Sequence, residues 1–375
     1  MQNLRLKLTK SLALQRRAKE LIPGMTQLLS KSPDRFSFGV WPGYFSRAQG
    51  VNVWDLDENQ YIDMSIGGIG ATVLGYRDPD VDRAVLNAIH AGTSCSLNCP
   101  EEVELAELLC ELHPWAERVR FARTGGEAMA MAVRIARAYT ARDTVAFCGY
   151  HGWHDWYLAA NLGQEDLLKD HLQAGLIPKG VPKSLAGTSI PFHYNDLETL
   201  EKIVSENTDD LAAIVMEPVR NLEPDPGFFA GVAKLAKASG AVFVLDEISS
   251  AFRMNTGGAH IILGFTPDMA VFSKALGNGY PMAAVIGKGK IMEAAQSTFI
   301  SSTNWTERIG PVAAIATIRK HKEHDVGDLL MAMGKIVQNG WEDLSQKHSI
   351  PLEVTGIPPL SHFSFPIEEA LEVRA

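Results

Sequence analysis

Residues 242–247 read Val-Phe-Val-Leu-Asp-Glu, and residues 270–277 read Ala-Val-Phe-Ser-Lys-Ala-Leu-Gly. Each is a short unbroken apolar run that ends on a charged side chain, the pattern of a strand buried on both faces of a parallel sheet. Outward from this pair the same pattern recurs. Val119–Phe121, Val145–Cys148 and Ala213–Met216 are expected as strands, and Ala283–Ile286 as a further strand returning past the same edge. Helices are expected at Val81–Ala91, Glu102–Leu112 and Glu127–Tyr139. Strand and helix in alternation predict an α/β fold with a mostly parallel central sheet flanked by helices. In such sheets ligands bind at the carboxyl ends of strands, so chemistry is expected just after each run.

Four of these ends carry suggestive residues. Arg123-Thr124-Gly125-Gly126-Glu127 follows the first strand, and two glycines opening a helix offer free amides and the positive helix terminus to an anion. Taken alone, a tight strand-to-helix turn explains them slightly better. Tyr150 stands between Gly149 and His151-Gly152, where a ring can stack on a planar ligand or simply pack. Asp246 ends a buried strand, where a carboxylate is costly without a cation or donors. It could cap a helix, or hold a protonated pyridine nitrogen and keep a cofactor ring electron-poor. Lys274 has apolar neighbours, and desolvation beside a cationic ring would make its amine a nucleophile toward carbonyls. A lone lysine would more often be a solvated surface group. An anion-binding helix start, a stacking aromatic, a carboxylate and a lysine in this order are together the parts needed to hold pyridoxal 5'-phosphate (PLP).

Composition sets wider bounds. The chain has 375 residues, 46% hydrophobic and 21% charged, enough for one large unit and a smaller one. A formal net charge of -9 supplies no global positive field for nucleic acid or an anionic membrane. No apolar run approaches the roughly 20 residues that span a bilayer. Arg5, Lys7, Lys10, Arg16, Arg17 and Lys19 belong to a basic amphipathic helix that ends at Pro23-Gly24. Cys95, Cys99, Cys110 and Cys148 form no CxxC or Cys/His pattern, so no metal is expected and reduced thiols in a cytoplasm fit best. Val51–Asp63 reads as a β-hairpin turning at Asp57-Glu58-Asn59. The glycine-rich Ser65–Gly75 lacks the third glycine of a dinucleotide site, and Asn161–Lys183 reads as a mobile surface excursion.

From about Leu12 to Phe365 the ordered motifs resemble the class III aminotransferases of the fold-type I PLP superfamily, most closely the glutamate-1-semialdehyde aminomutase branch. Val53-Trp54-Asp55-Leu56-Asp57 with Tyr61-Ile62-Asp63 is similar to the family's opening hairpin. Thr124-Gly125-Gly126-Glu127-Ala128 stands at its phosphate turn, and Tyr150-His151-Gly152 at its ring-stacking motif. Glu217-Pro218, Asp246-Glu247-Ile248 through Phe252-Arg253, and Ser273-Lys274-Ala275-Leu276-Gly277 complete the match. The resemblance implies Lys274 as the Schiff-base lysine, Asp246 on the pyridine nitrogen, Ile248 against the ring face and Glu217 among the cofactor contacts. Thr303 would reach the cofactor phosphate of a neighbouring subunit, which implies a homodimer with shared sites. Asn221 lies near the family's asparagine on the cofactor phenolic oxygen, with shifted spacing.

Three departures stand out. Gly126 replaces a hydroxyl residue. Arg123 and Asn304–Arg308 differ from the family on the substrate side. The chain stops shortly after Phe365, where family members continue through the small domain, so that domain is expected to be truncated. The organisation expected is an N-terminal small-domain segment (1–75), a large PLP-binding domain (76–310) and a partial C-terminal small domain (311–375).

The expected reaction moves an amino group between an amino donor and a small aldehyde or ketone, including sugar-derived ones. The alternatives are intramolecular aminomutase transfer and a non-catalytic binding protein on the same fold. Arg123 or Arg308 could pair a substrate carboxylate or phosphate, and Trp305, Trp41 and Tyr44 could line its pocket. Surface arginines and core aromatics are the plainer explanation of all five.

Overall fold

The structure is a computed structural model that describes residues 6–36, 39–65, 67–164, 166–219 and 221–365. Its centre is a seven-stranded sheet. In chain order these strands are β4 (Arg118–Ala122), β5 (Thr144–Cys148), β6 (Ser189–Pro191), β7 (Leu211–Met216), β8 (Val242–Asp246), β9 (Met269–Phe272) and β10 (Ala283–Gly287). They lie in the order β4-β10-β9-β8-β7-β5-β6. Only β10 runs against its neighbours, pairing antiparallel with β4 and β9, while the pairs from β9 through β6 are parallel. All six strands expected from the apolar runs are present, each within two residues of its expected ends.

Those runs are unbroken because the sheet has two buried faces. Ile214, Met216, Phe243, Leu245, Ala270 and Phe272 belong to one core cluster. Ala213, Val215, Val242, Val244, Met269 and Val271 belong to the other. Consecutive residues thus alternate between two cores, as the two-residue period of a strand requires.

The three expected helices form as Pro79–Ala91, Pro100–Leu112 and Gly125–Thr140, each starting two residues early. At Pro79–Ala91, Asp78 caps the amides of Asp80 and Val81 at 3.1 and 3.2 Å, and proline sits at the first position. Further helices, Leu197–Glu206 and Phe228–Ser239, complete the connections to β7 and β8.

The expected hairpin is part of a three-stranded antiparallel sheet, β1 (Phe45–Gln49), β2 (Asn52–Asp55) and β3 (Gln60–Ile62). Its turn residue Asp57 accepts the backbone N–H groups of Lys10 and Ser11 at 2.9 Å, which ties the N-terminal helix Thr9–Leu21 to the hairpin. Within 161–183, Leu168 is fully buried and the Asn161 side chain bridges Leu168 N–H and the Leu176 carbonyl, so part of this stretch is packed core rather than surface.

The helix Ile309–Glu323 starts before the boundary expected at 310 and packs on Pro79–Ala91 and Pro100–Leu112. Val326–His348 follows, with a two-stranded sheet of β11 (Glu353–Thr355) and β12 (His362–Ser364). Among the described residues no helix is long and apolar enough to cross a membrane.

Candidate active site

Strand register brings the marked residues to one edge of the sheet. Cys148 lies opposite Met216, Met216 opposite Leu245, and Asp246 opposite Val271, so the segments after β5, β7, β8 and β9 leave side by side. Because β10 is reversed, its first residue Ala283 pairs with Ala122, and the turn after β4 opens at the same edge.

Lys274 begins the turn after β9 with φ of +46°, a left-handed conformation uncommon for a non-glycine residue and frequent at functional sites. Its Nζ donates to Ser249 Oγ at 2.7 Å. Ser249 follows Asp246 by three residues, so lysine and carboxylate are joined through one short loop. Asp246 is 3% exposed. Its Oδ1 accepts the Ile248 amide at 3.0 Å and its Oδ2 faces His151 Nδ1 at 2.8 Å. His151 Nε2 contacts the Cys148 carbonyl at 3.0 Å. Two fixed contacts on the imidazole therefore orient a carboxylate that would otherwise be a costly buried charge.

At the turn after β4 the Thr124 hydroxyl accepts the Glu127 amide, and Glu127 accepts the Thr124 amide at 3.0 Å, a reciprocal capping box. The box does not use the amides of Gly125 and Gly126, which remain for an anion at the helix terminus. Gly125 is required by packing: a Cβ there would lie 2.9 Å from Ile248 Cδ1. The turn after β4 and Ile248 are therefore in contact. Tyr150 donates its backbone N–H to Glu217 Oε2 at 3.1 Å, which positions the Tyr150 loop on the segment after β7. Asn221 lies beside Glu217 and Gly149 on a cavity of about 240 Å³ together with the stacked rings of His171 and His193.

Of the residues expected on the substrate side, the two arginines already have acidic partners. Arg123 is bound to Glu307, Nε to Oε1 at 2.8 Å and Nη2 to the backbone carbonyl at 2.7 Å. Arg308 forms a forked pair with Glu101 at 2.8 and 3.1 Å. Trp41 stacks on Phe36 at 4.3 Å, and Trp305 packs on the core cluster that also touches Ile248. Thr303 is exposed at the start of the turn Thr303–Thr306. The buried hydroxyl of Tyr44 has no hydrogen-bond partner.

Sequence reasoning quoted His151 inside a motif but gave it no role, and it passed over Ser249. Neither position carries a local signal, because each acts on a group brought near by the fold.

A lysine, a clamped carboxylate, an aromatic loop and a free helix start at one sheet edge suit a phosphorylated pyridine aldehyde, and they define a PLP-dependent transferase fold. The chain belongs to the class-III aminotransferases, whose family profile matches residues 40–363. It is 34% identical to the 3-aminobutyryl-CoA aminotransferase of Cloacimonas acidaminovorans, over 98% of this chain and 86% of that protein. It is 32% identical to the glutamate-1-semialdehyde 2,1-aminomutase of Chloroflexus aurantiacus, over 96% of this chain and 82% of that one. Among solved structures, the FumI protein of Sphingopyxis sp. MTA144, in its PLP internal aldimine form, superposes with a TM-score of 0.86 at 27% identity, covering 96% of this chain and 84% of that one. The protein is a PLP-dependent transaminase by family, with aminomutases as close relatives, and its substrates are an amino donor and a carbonyl acceptor.

Proposed function

We propose that Lys274 is the amine that bonds the cofactor covalently, and that this chain moves an amino group between separate donor and acceptor molecules. The observation that carries the reading is the placing of Lys274, bonded to Ser249, beside the loop of Asp246, which is clamped by His151 and the Ile248 amide at the carboxyl edge of the sheet. When bound, PLP supplies an electron-poor ring that stabilises negative charge on the carbon bearing the amine. Asp246 holds the ring nitrogen in its protonated form, and His151 and the Ile248 amide keep that carboxylate in place. Ile248 and Tyr150 flank the ring, the Gly125 and Gly126 amides bind the phosphate, and Glu217 and Asn221 line the side nearest Gly149. Lys274 Nζ, held in reach by Ser249 Oγ, would take the proton from the donor's α-carbon as general base.

Recognition of an acidic substrate by Arg123 or Arg308 requires the substrate to displace Glu307 or Glu101, because each arginine is already neutralised within the chain. Trp305 and Trp41 remain candidates for the pocket wall. The likeness to the 3-aminobutyryl-CoA enzyme supports intermolecular transfer onto a small carbonyl compound, and the likeness to the aminomutase supports intramolecular transfer as the second reading.

The functional unit in this proposal is a cytoplasmic homodimer in which Thr303 serves the neighbouring site. Leu97 and Phe299, 80% and 93% exposed, lie in the segments that the Arg308 amide on the Thr93 carbonyl joins, and these exposed apolar side chains support a partner surface there. All four cysteines are free thiols, in keeping with a reducing compartment. Half-reactions of the purified holoenzyme with a panel of amino donors test the reading. Conversion of the bound cofactor to its amino form by a donor, and its recovery by a separate carbonyl acceptor, is expected. No conversion by any donor would overturn it, and equal turnover of a single amino-aldehyde without acceptor would establish the aminomutase instead.

A further inference from the structure

A second cavity, of about 400 Å³, lies on the far side of the phosphate turn and is lined by Arg134, Arg137, Trp153, His154, Asp155 and Trp156. Its volume falls in the range of small-molecule sites. Buried polar atoms are nearly always hydrogen-bonded, so exceptions point to something missing. Seven buried side-chain polar atoms among the described residues lack a partner, and three of them belong to this one wall: Arg137 Nη2, His154 Nε2 and Trp156 Nε1. Trp156 is only 5% exposed, and an indole N–H can do nothing but donate.

The charge is equally one-sided. Arg137 Nε donates to the Asp143 carbonyl at 2.8 Å, and among the described residues neither Arg134 nor Arg137 has a carboxylate within ion-pair distance. Among the described residues Asp155 is the only acid on the wall, against two guanidinium groups. Burial lowers the Arg137 guanidinium from its ordinary value even though the Asp143 and Asp210 carboxylates, beyond ion-pair distance, act to raise it. The rest of the wall is apolar, from Ala130, Val133 and Leu185 together with the indoles.

We propose that this cavity is a binding site for a small organic oxyanion, a carboxylate or phosphate ester with a flat apolar body, distinct from the cofactor and substrate site. Arg137 and Trp156 donate to the oxyanion, Arg134 supplies further positive charge, and the indoles cover the body. His154 forms the partition between the two sites, since a Cβ on Gly126 would lie 3.2 Å from its Cδ2 and Nε2. An occupant therefore bears on the phosphate turn through one imidazole.

Calorimetric titration of the holoenzyme with phenyl phosphate, benzoate and inorganic phosphate tests this, with visible absorbance recorded to show that the cofactor stays bound. Saturable binding of phenyl phosphate or benzoate is expected, and which of them binds tells phosphate ester from carboxylate. Arg137→Met should weaken binding roughly 10- to 100-fold, the effect of losing a charge-assisted hydrogen bond. Trp156→Phe keeps the ring's bulk, removes only the donor and should weaken binding severalfold with the fold intact. Binding unchanged in both variants, no binding of either aromatic anion, or inorganic phosphate binding as tightly as phenyl phosphate would each overturn the proposal.

Discussion

Asp246→Asn separates charge from shape at the candidate site. In the native chain Oδ1 accepts the Ile248 amide and Oδ2 faces His151 Nδ1, while His151 Nε2 faces the Cys148 carbonyl. A carbonyl only accepts, so Nε2 carries a hydrogen. A carboxamide can keep every contact: its oxygen takes the Ile248 amide and its NH2 donates to a neutral His151 at Nδ1. No buried group is orphaned, so the stability change should stay near about 1 kcal/mol, about 2 °C in Tm. Asp246→Ala, by contrast, leaves the Ile248 amide and His151 Nδ1 without partners and should destabilise by roughly 2–5 kcal/mol. The lost charge acts on the chemistry. Two unit charges 4 Å apart at an effective dielectric of 20 interact by about 4 kcal/mol, which at 1.36 kcal/mol per decade is about a thousandfold in rate. Single-turnover mixing of the cofactor-loaded variant with an amino donor, followed in the visible band, measures that loss, and a thermal melt checks the fold. A single-turnover rate within tenfold of the native one, with the cofactor bound and the melt unchanged, would refute the role assigned to Asp246.

Lys274→Ala should abolish both the visible absorbance of the covalently held cofactor and turnover, and retention of both would remove the central assignment. Gly125→Ala drives a methyl against Ile248, which should weaken cofactor binding about tenfold in an equilibrium titration of the apo-protein, at a cost of overpacking of about 1–3 kcal/mol. Glu247 is fully buried and accepts from Ser250, the Ala259 and His260 amides and His260 Nδ1, so Glu247→Ala should cost about 4 kcal/mol in denaturant unfolding. Burial alone would raise the Glu247 carboxyl, but the His260 and Ser250 hydrogen bonds hold it below its ordinary value. Its stabilisation is therefore complete above that ordinary value and lost as pH falls through the lower folded one. Native protein should show this loss in acid melts, and Glu247→Gln should lack it.

Much of the fold was legible because burial on both faces leaves a mark in each strand by itself. β7 and β8 alternate residue by residue between two cores, so no polar residue interrupts them. β6 left no such mark: it is a three-residue edge strand ending in Pro191, paired only through β5. β1 was equally silent, since its sequence is polar and its side chains mostly exposed. At the site, Lys274 and Asp246 were visible as charges ending buried runs. Their supports were not, because a hydrogen bond between residues 95 apart, as from His151 to Asp246, has no local signature. The same limit hid the partners of the two arginines. Arg123 and Arg308 read as available charges, yet Glu307 and Glu101 lie 184 and 207 residues away in the chain and close in space.

Gly126 shows how the structure can reverse the meaning of a departure. Read against the family, glycine in place of a hydroxyl residue looks like the loss of a phosphate donor. In the folded chain a Cβ at 126 would meet the His154 ring at 3.2 Å, and a Cβ on Gly152, whose φ is +97°, would lie 3.2 Å from Gly126 Cα. The His154 ring, stacked with Trp153 at 4.6 Å, occupies the room a side chain at 126 would need. Glycine at 126 and the ring at 154 are thus one adaptation, and restoring a side chain without removing the ring should fail. Gly126→Ser alone should lower cofactor affinity through the clash, whereas Gly126→Ser with His154→Ala should recover it. A single variant that binds cofactor as tightly as the native chain would show that the loop yields and that the glycine is not held there by His154.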